Sequence, residues 1–343
     1  MIGAFQKKML TLMISVSKVI FLVIFLFVSC QQTFQKYSLS GYAQGTTYNI
    51  KYHHTSNLIN KQSIDSLLSI IDKSMSSYVK SSTVSSINSG LDVNLDSLIS
   101  IVIEKSIDIC HQTNGMFDIT VSPLVNYWGF GPNKIRQLDL SNLKHSEYEI
   151  GCDKISIQDN KLIKSNSVSI DLNGIAQGFS VDYIASYLYR KGVSDFMIEI
   201  GGEIRCSGDN MQSGWKIGVD TPTDKNRSFA YVLKLDNISL ATSGSYRNYY
   251  YADSIKINHT INPKTLYPTS NSLLSATILY ADCMSADGYA TACMALGVEK
   301  AKDFLQKNNI IGSLIYVEGE DTIHYFSSGF SEFLHSSPGS APQ

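Results

Sequence analysis

Four short stretches carry residue types at spacings that could do chemistry. Asp171-Leu172-Asn173-Gly174-Ile175-Ala176-Gln177-Gly178-Phe179 reads as the end of a strand, a two-glycine turn and the start of a helix. Such a turn leaves backbone N–H groups and a positive helix end where a phosphate could sit, or it is an ordinary connection. Ala286-Asp287-Gly288-Tyr289-Ala290-Thr291-Ala292 puts a carboxylate and a hydroxyl at i and i+4, on one helical face. Two hard oxygens suit Mg²⁺. Equally, an acid in a first turn complements the helix dipole and a threonine can bond back to a carbonyl. His259-Thr260-Ile261-Asn262-Pro263-Lys264-Thr265 offers a loop imidazole as a general base, or a structural turn. Residues 115–131 hold one carboxylate, Asp118, among aromatics that could face a planar ligand or pack a core corner.

The elements that must position these residues follow from periodicity. Residues 46–52 alternate as a strand, and His53 and His54 continue it on opposite faces, a poor ligand pair. Ile64, Leu67, Leu68, Ile71 and Met75 mark a helix with Ser63 as its N-cap, and residues 76–90 form loop with at most a short helix. A second helix over Leu95–Ile103 stops at Asn114-Gly115, and residues 116–135 form a turn-rich segment. Strands are expected at 154–158, 167–172, 196–200, 215–219, 231–235 and 275–280, with helices at 179–191, 286–296 and 299–308 and a final hairpin at 313–326. Mixed helices and meandering strands argue for an α+β fold.

The chain has 343 residues, 43% hydrophobic and 17% charged, with a net charge of −2. That composition fits a folded protein and argues against a nucleic-acid binder. Lys7, Lys8 and Lys18 precede the apolar run Val19–Val28, which ends Phe27-Val28-Ser29-Cys30. This order describes a lipoprotein signal peptide over residues 1–29, cleaved before a Cys30 that takes the lipid. An uncleaved signal anchor is the competing reading. Cleavage removes three lysines, so the body is more acidic and the acyl chains alone must hold the membrane. Residues 30–42 then form a polar tether, 43–330 the domain and 331–343 a disordered tail. Cys110, Cys152, Cys206, Cys283 and Cys293 remain, an odd set with no C-x-x-C, so neither a disulfide network nor a zinc site is expected.

In this order the segments resemble the ApbE family of FAD:protein FMN transferases. Residues 115–131 match its Gly-x-Phe-Asp-x-Thr-Val-x-Pro-Leu-Val-Asn-x-Trp-Gly-Phe-Gly stretch almost throughout. Asp171 to Phe179, Gly201-Gly202-Glu203, Ser243 to Tyr246, His259 to Thr265 and Ala286 to Ala292 match the later motifs. The resemblance spans roughly residues 43 to 326. It implies a T-fold-like architecture with the flavin cleft between two intertwined lobes. It implies Mg²⁺ held by the main-chain oxygen of Ala176 and the side chains of Asp287 and Thr291. It implies FAD contacts at Gln44, Tyr78, Asp118, Gln177, Ser243, His259 and Ile261. His259 is expected to accept the proton of the client hydroxyl, with Asp118 as competitor. The implied reaction transfers FMN from FAD to a Thr or Ser of a client flavoprotein bearing a Ser/Thr-Gly-Ala-Thr/Ser acceptor, releasing AMP.

Three positions depart from the family pattern. Gln177 replaces a usual Lys, Asn262 a usual Asp and Asn173 a common Gly. Two other readings compete with transfer: an FAD pyrophosphatase, and a non-catalytic FAD-binding lipoprotein; a general solute-binding lipoprotein is the fallback. Many members of the family are periplasmic lipoproteins, so the protein is expected in the bacterial cell envelope, facing the periplasm from the inner rather than the outer membrane.

Overall fold

In the computed structural model the described residues are 3, 7–10, 13, 33–132, 148–223, 228–246, 248–252 and 255–336. The elements run β1 (Gln35–Ala43), β2 (Thr46–His54), α1 (Lys61–Met75), α2 (Thr83–Asn88), α3 (Ser97–Gln112) and α4 (Ser122–Tyr127). Next come β3 (Ser156–Gln158), β4 (Lys161–Ile163), α5 (Ala176–Arg190), β5 (Asp195–Ile200), β6 (Glu203–Ser207), β7 (Trp215–Asp220), β8 (Phe229–Leu235) and β9 (Ser239–Gly244). The chain closes with β10 (Tyr249–Ala252), β11 (Ile255–Asn258), β12 (Leu273–Tyr280), α6 (Cys283–Leu296), α7 (Val298–Lys307), β13 (Ile311–Glu318), β14 (Asp321–Phe326) and β15 (Leu334–Ser336).

An eight-stranded sheet in the order β1-β2-β5-β6-β9-β12-β13-β14 forms the middle layer. Its strands alternate faces, as a side-chain period of two requires. Ala241, Ala276, Ile278 and Leu314 turn toward the helices, in one cluster with Ile99, Val102 and Ile103 of α3 and Ala290 and Met294 of α6. Ile198 and Ile200 pack with Ile64 and Leu68 of α1 and Val181 and Ile184 of α5. On the opposite face Met197, Cys206, Leu240, Leu279 and Ile315 meet Trp215, Ile217 and Leu233 of the second sheet, β15-β8-β7. The fold is therefore α+β, as expected: helices, a large sheet, then a small sheet. The described residues from Lys36 onward form one compact body.

α6 is buried along nearly its whole length. A helix apolar on every side belongs in an interior, and this one lies between β9 and β12 on one side and α3 and α5 on the other. Ser285 and Asp287 are buried within it, whereas Thr291 is half-buried.

Several expectations need correction. The stretch read as a tether contains β1, an edge strand, so the sheet begins eight residues before residue 43. Part of the expected tail is likewise ordered: Phe330–Phe333 form a 3-10 turn and β15 pairs with β8. Residues 337–343, Cys30 and nearly all of the leader lie outside the described residues. Among the described residues no helix is long and apolar enough to cross a membrane. The first helix is capped by Asn60, whose side chain accepts from Ser63 N–H at 2.8 Å, so Ser63 is the receiver of the cap. Residues 167–172 bury Val168, Ile170 and Leu172 in alternation without forming a strand. Their backbone is satisfied elsewhere: Ile170 N–H by the Asn88 side chain at 2.8 Å and Asp171 N–H by the Ile119 carbonyl at 2.7 Å. Cys110 and Cys152 form a disulfide, which the sequence reading did not anticipate. They stand 42 residues apart and meet only because the end of α3 packs against the 3-10 turn Cys152–Lys154. Cys206, Cys283 and Cys293 are buried thiols, pushed up in pKa by burial and so unreactive.

Candidate active site

The turn before α5 is built by local bonds. The Asp171 carboxylate accepts from Asn173 N–H at 2.8 Å, and the Leu172 carbonyl accepts from Ile175 and Ala176 at 3.1 and 2.9 Å. Asn173 forms this turn without the usual glycine. Ile175 occupies the N-cap position and brings no side-chain acceptor, so no side chain of this turn competes for the first amides of α5.

α6 comes to this turn from the far end of the chain. Asp287 Oδ2 accepts from Gly178 N–H at 3.0 Å. Gly178 has to be glycine: a methyl group there would overlap the Cys283 carbonyl and sit 2.8 Å from Asp287 Cβ. One turn further, Thr291 Oγ1 lies 3.4 Å from the Gly174 carbonyl and 3.4 Å from Ser243 Oγ at the end of β9. The Ala176 carbonyl accepts from Ser180 Oγ at 2.7 Å, and Ser180 Oγ accepts from Gln44 Nε2 at 2.7 Å. Gln44 holds a left-handed backbone (φ 54°) in the turn joining β1 and β2. Thus Gln44, Ala176, Ser243, Asp287 and Thr291, named from the sequence, meet in one place. Asp287 sits in the second turn of α6, because the helix starts three residues earlier than expected with Asp282 as its cap. The first-turn dipole explanation of that carboxylate therefore fails. Burial pushes its pKa up to about 7, against only one N–H donor.

A second group forms an aromatic wall. Tyr78 is 59% exposed and its hydroxyl donates to the Phe130 carbonyl at 3.2 Å. The Phe130 ring packs on Tyr250 at 5.5 Å and on His259 at 6.2 Å. Trp128 anchors this wall from behind, donating Nε1–H to the Leu266 carbonyl at 2.9 Å. His259 Nδ1 lies 3.1 Å from the Asn248 carbonyl. A carbonyl only accepts, so Nδ1 carries the proton and Nε2 keeps its lone pair. Burial holds the imidazole below its ordinary range, in the neutral form. Burial raises the Tyr78 phenol, and the Asp171 carboxylate adds to the shift.

The remaining sequence-named residues have other partners. Asp118 Oδ1 accepts from Thr120 N–H at 2.9 Å and from its hydroxyl at 2.7 Å, capping the 3-10 turn Ile119–Val121. Its carboxylate also receives the Cys152 N–H, while burial raises its pKa and the Lys264 charge lowers it. Gln177 packs its amide beside Gly201, in the β5–β6 turn. The Ile261 side chain is buried with Leu124, Trp128, Ile257 and Leu266, so only its backbone is available to a ligand. Asn262 accepts from Lys264 and Thr265 N–H at 2.9 and 3.1 Å, doing the turn work of the usual Asp with no charge. Sequence reasoning missed Ser180, although its i+4 spacing from Ala176 was the available signal.

A profile described as the ApbE family matches residues 44–314. The chain is 34% identical over 320 residues to the FAD:protein FMN transferase of Vibrio cholerae serotype O1, covering 90% of this chain and 96% of that one. It is 34% identical over 345 residues to that of Haemophilus influenzae, covering 95% and 98%. Among solved structures, the flavin transferase ApbE from Vibrio cholerae superposes with a TM-score of 0.78 at 33% identity, covering 88% of this chain and all (100%) of that one. The apo flavinyl transferase ApbE of Pseudomonas stutzeri gives 0.79 at 27% identity, covering 89% and 98%.

Proposed function

The chain belongs to the ApbE family, and we propose that it transfers FMN from FAD to a Thr or Ser hydroxyl of a client flavoprotein, releasing AMP. The observation that carries this reading is the meeting of the Gly174–Gly178 turn with Asp287 and Thr291, two segments more than a hundred residues apart.

The donor set fits Mg²⁺. Backbone carbonyls, a hydroxyl and a carboxylate are the hard oxygens that ion takes. Asp287 is buried with a single hydrogen-bond donor, an arrangement that a cation would compensate. We assign Ala176, Asp287 and Thr291 as its ligands. When bound, Mg²⁺ would neutralise the FAD pyrophosphate as charge shifts onto the AMP leaving group.

The chain's own residues do the rest. With the Ala176 and Gly178 amides taken by the Leu172 carbonyl and the Asp287 carboxylate, it is Gln177 that offers an uncharged donor to the pyrophosphate at the start of α5. Gln44, through Ser180, fixes the Ala176 carbonyl. Ser243 steadies Thr291, and Tyr78 with Phe130 offers a surface for the flavin rings. His259 Nε2 takes the hydroxyl proton as the client oxygen attacks the FMN phosphorus and the bond to the AMP oxygen breaks. Asp118 is occupied by Thr120 and Cys152, which favours His259 as the base.

The acceptor is a Ser/Thr-Gly-Ala-Thr/Ser segment, and the site of work is the periplasmic face of the envelope, with the chain anchored through lipid on Cys30. The Cys110–Cys152 disulfide supports export, because such bonds persist in oxidising compartments. Purified residues 31–343 with FAD, Mg²⁺ and a client bearing that acceptor should yield covalent flavin fluorescence on a denaturing gel and one AMP per flavin. No covalent flavin refutes transfer. AMP and free FMN without a client would mark a pyrophosphatase, and FAD binding without AMP a carrier. Acylation is read from the mass of the N-terminal peptide, and Cys30→Ala should release the chain from membranes.

A further inference from the structure

Hydrogen bonds tie α5 to α6 at two levels one turn apart. The first is the Gly178 N–H to Asp287 bond. At the second, Asp182 Oδ2 accepts from Met284 N–H at 2.9 Å, and its carboxylate also receives the Cys283 N–H. The helix already has its own cap, Asp282, which takes Ser285 N–H at 2.7 Å. Two of the donors that every helix start leaves free are thus satisfied from a different helix. The other Asp182 oxygen is held by Arg205 Nη1 of β6 at 2.5 Å, with side chains only 17% and 25% exposed. One carboxylate therefore ties α5, α6 and the central sheet together.

Met284 precedes Asp287 by three residues, less than one helical turn. A shift of the first turn of α6 would therefore move the backbone that carries Asp287. We propose that Asp182 is a positioning residue for flavin transfer: braced by Arg205, it sets the start of α6 so that Asp287 and Thr291 face the Gly174–Gly178 turn. The inference rests on the ligand assignment made above. Asp182 lies three residues beyond the glycine-turn motif, and nothing in its own spacing marks it.

Asp182→Asn keeps the size and one acceptor but loses the charge. It takes the counter-charge from Arg205 and leaves it the Tyr189 hydroxyl, so the double variant D182N/R205Q removes that cation as well and guards against simple misfolding. Folding is followed by circular dichroism, Mg²⁺ uptake by calorimetry on FAD-loaded protein, and turnover by AMP release. Both variants should fold, bind Mg²⁺ at least tenfold more weakly and lose at least tenfold in kcat, with KM for the client unchanged. A folded variant with wild-type Mg²⁺ affinity and kcat overturns the proposal. So does loss of fold in both, which would make the pair a structural pillar. Asp287→Ala separates the two readings. If it binds Mg²⁺ like wild type, or wild type takes up none, the ligand assignment itself fails and this inference with it. If it alone loses Mg²⁺, only Asp182 is cleared of a role.

Discussion

Replacing Gly178 by Ala adds one methyl group where α5 and α6 come closest. That carbon would sit 2.8 Å from Asp287 Cβ and closer still to the Cys283 carbonyl. Carbon atoms need roughly 3.5 Å, so the helices must part by about 0.7 Å. Both obstacles belong to the rigid start of α6, so no flexible side chain can absorb the shift. Overpacking of this kind costs about 1–3 kcal/mol. Alanine in place of glycine within a helix returns roughly 0.5–1 kcal/mol. The net loss of about 0–2.5 kcal/mol should lower the melting midpoint by no more than about 10 °C in a chain of this size. Activity should suffer far more, because a displacement approaching 1 Å in a positioned group can cost about 100-fold. The assay is AMP release and gel flavin fluorescence at saturating FAD, with the melting curve taken on the same sample. A Gly178→Ala enzyme with near wild-type kcat/KM would refute the claim that this helix contact sets the site.

Three further outcomes follow from particular contacts. His259→Gln should lower kcat about 10²–10⁴-fold while leaving FAD binding near wild type, as read by flavin fluorescence quenching. Burial disfavours the protonated imidazole, so the neutral base persists to lower pH than usual. The rate should be flat through neutrality and fall only on the acid side of the ordinary imidazole value of about 6.5, and an acid limb above it would contradict the assignment. Substituting both Cys110 and Cys152 by Ser should cost about 4 kcal/mol by the loop-entropy relation for a separation of 42 residues. Dithiothreitol should lower the melting midpoint of the wild type and leave that double variant unmoved.

The sequence made the helix termini readable wherever a single side chain or a glycine decides them. Asn114 and Gly115 stop α3 with φ of 52° and 76°, as their types suggest. The i, i+4 pair on α6 was also legible, since Asp287 and Thr291 need only a helix to share a face. What stayed hidden depends on partners distant in the chain. The alternation of Tyr37, Leu39 and Gly41 in β1 is diluted by exposed polar neighbours, because an edge strand is half solvated. Residues 167–172 have a strand's side-chain pattern, yet Asn88 and Ile119 take their amides. The pairing of Cys110 with Cys152 follows from packing alone. So does the part played by Asp182, whose carboxylate is ordinary until Met284 and Arg205 are placed beside it.

The strand from Gln35 to Ala43 has a practical corollary. It shields the outer backbone of its neighbour, whose Tyr48, Ile50 and Tyr52 are fully buried at 0% exposure. A recombinant product trimmed to the family boundary near residue 44 would leave that ribbon of amides and carbonyls open to pairing with another copy. Precipitation of such a product would report a badly chosen start site and carry no information about catalysis.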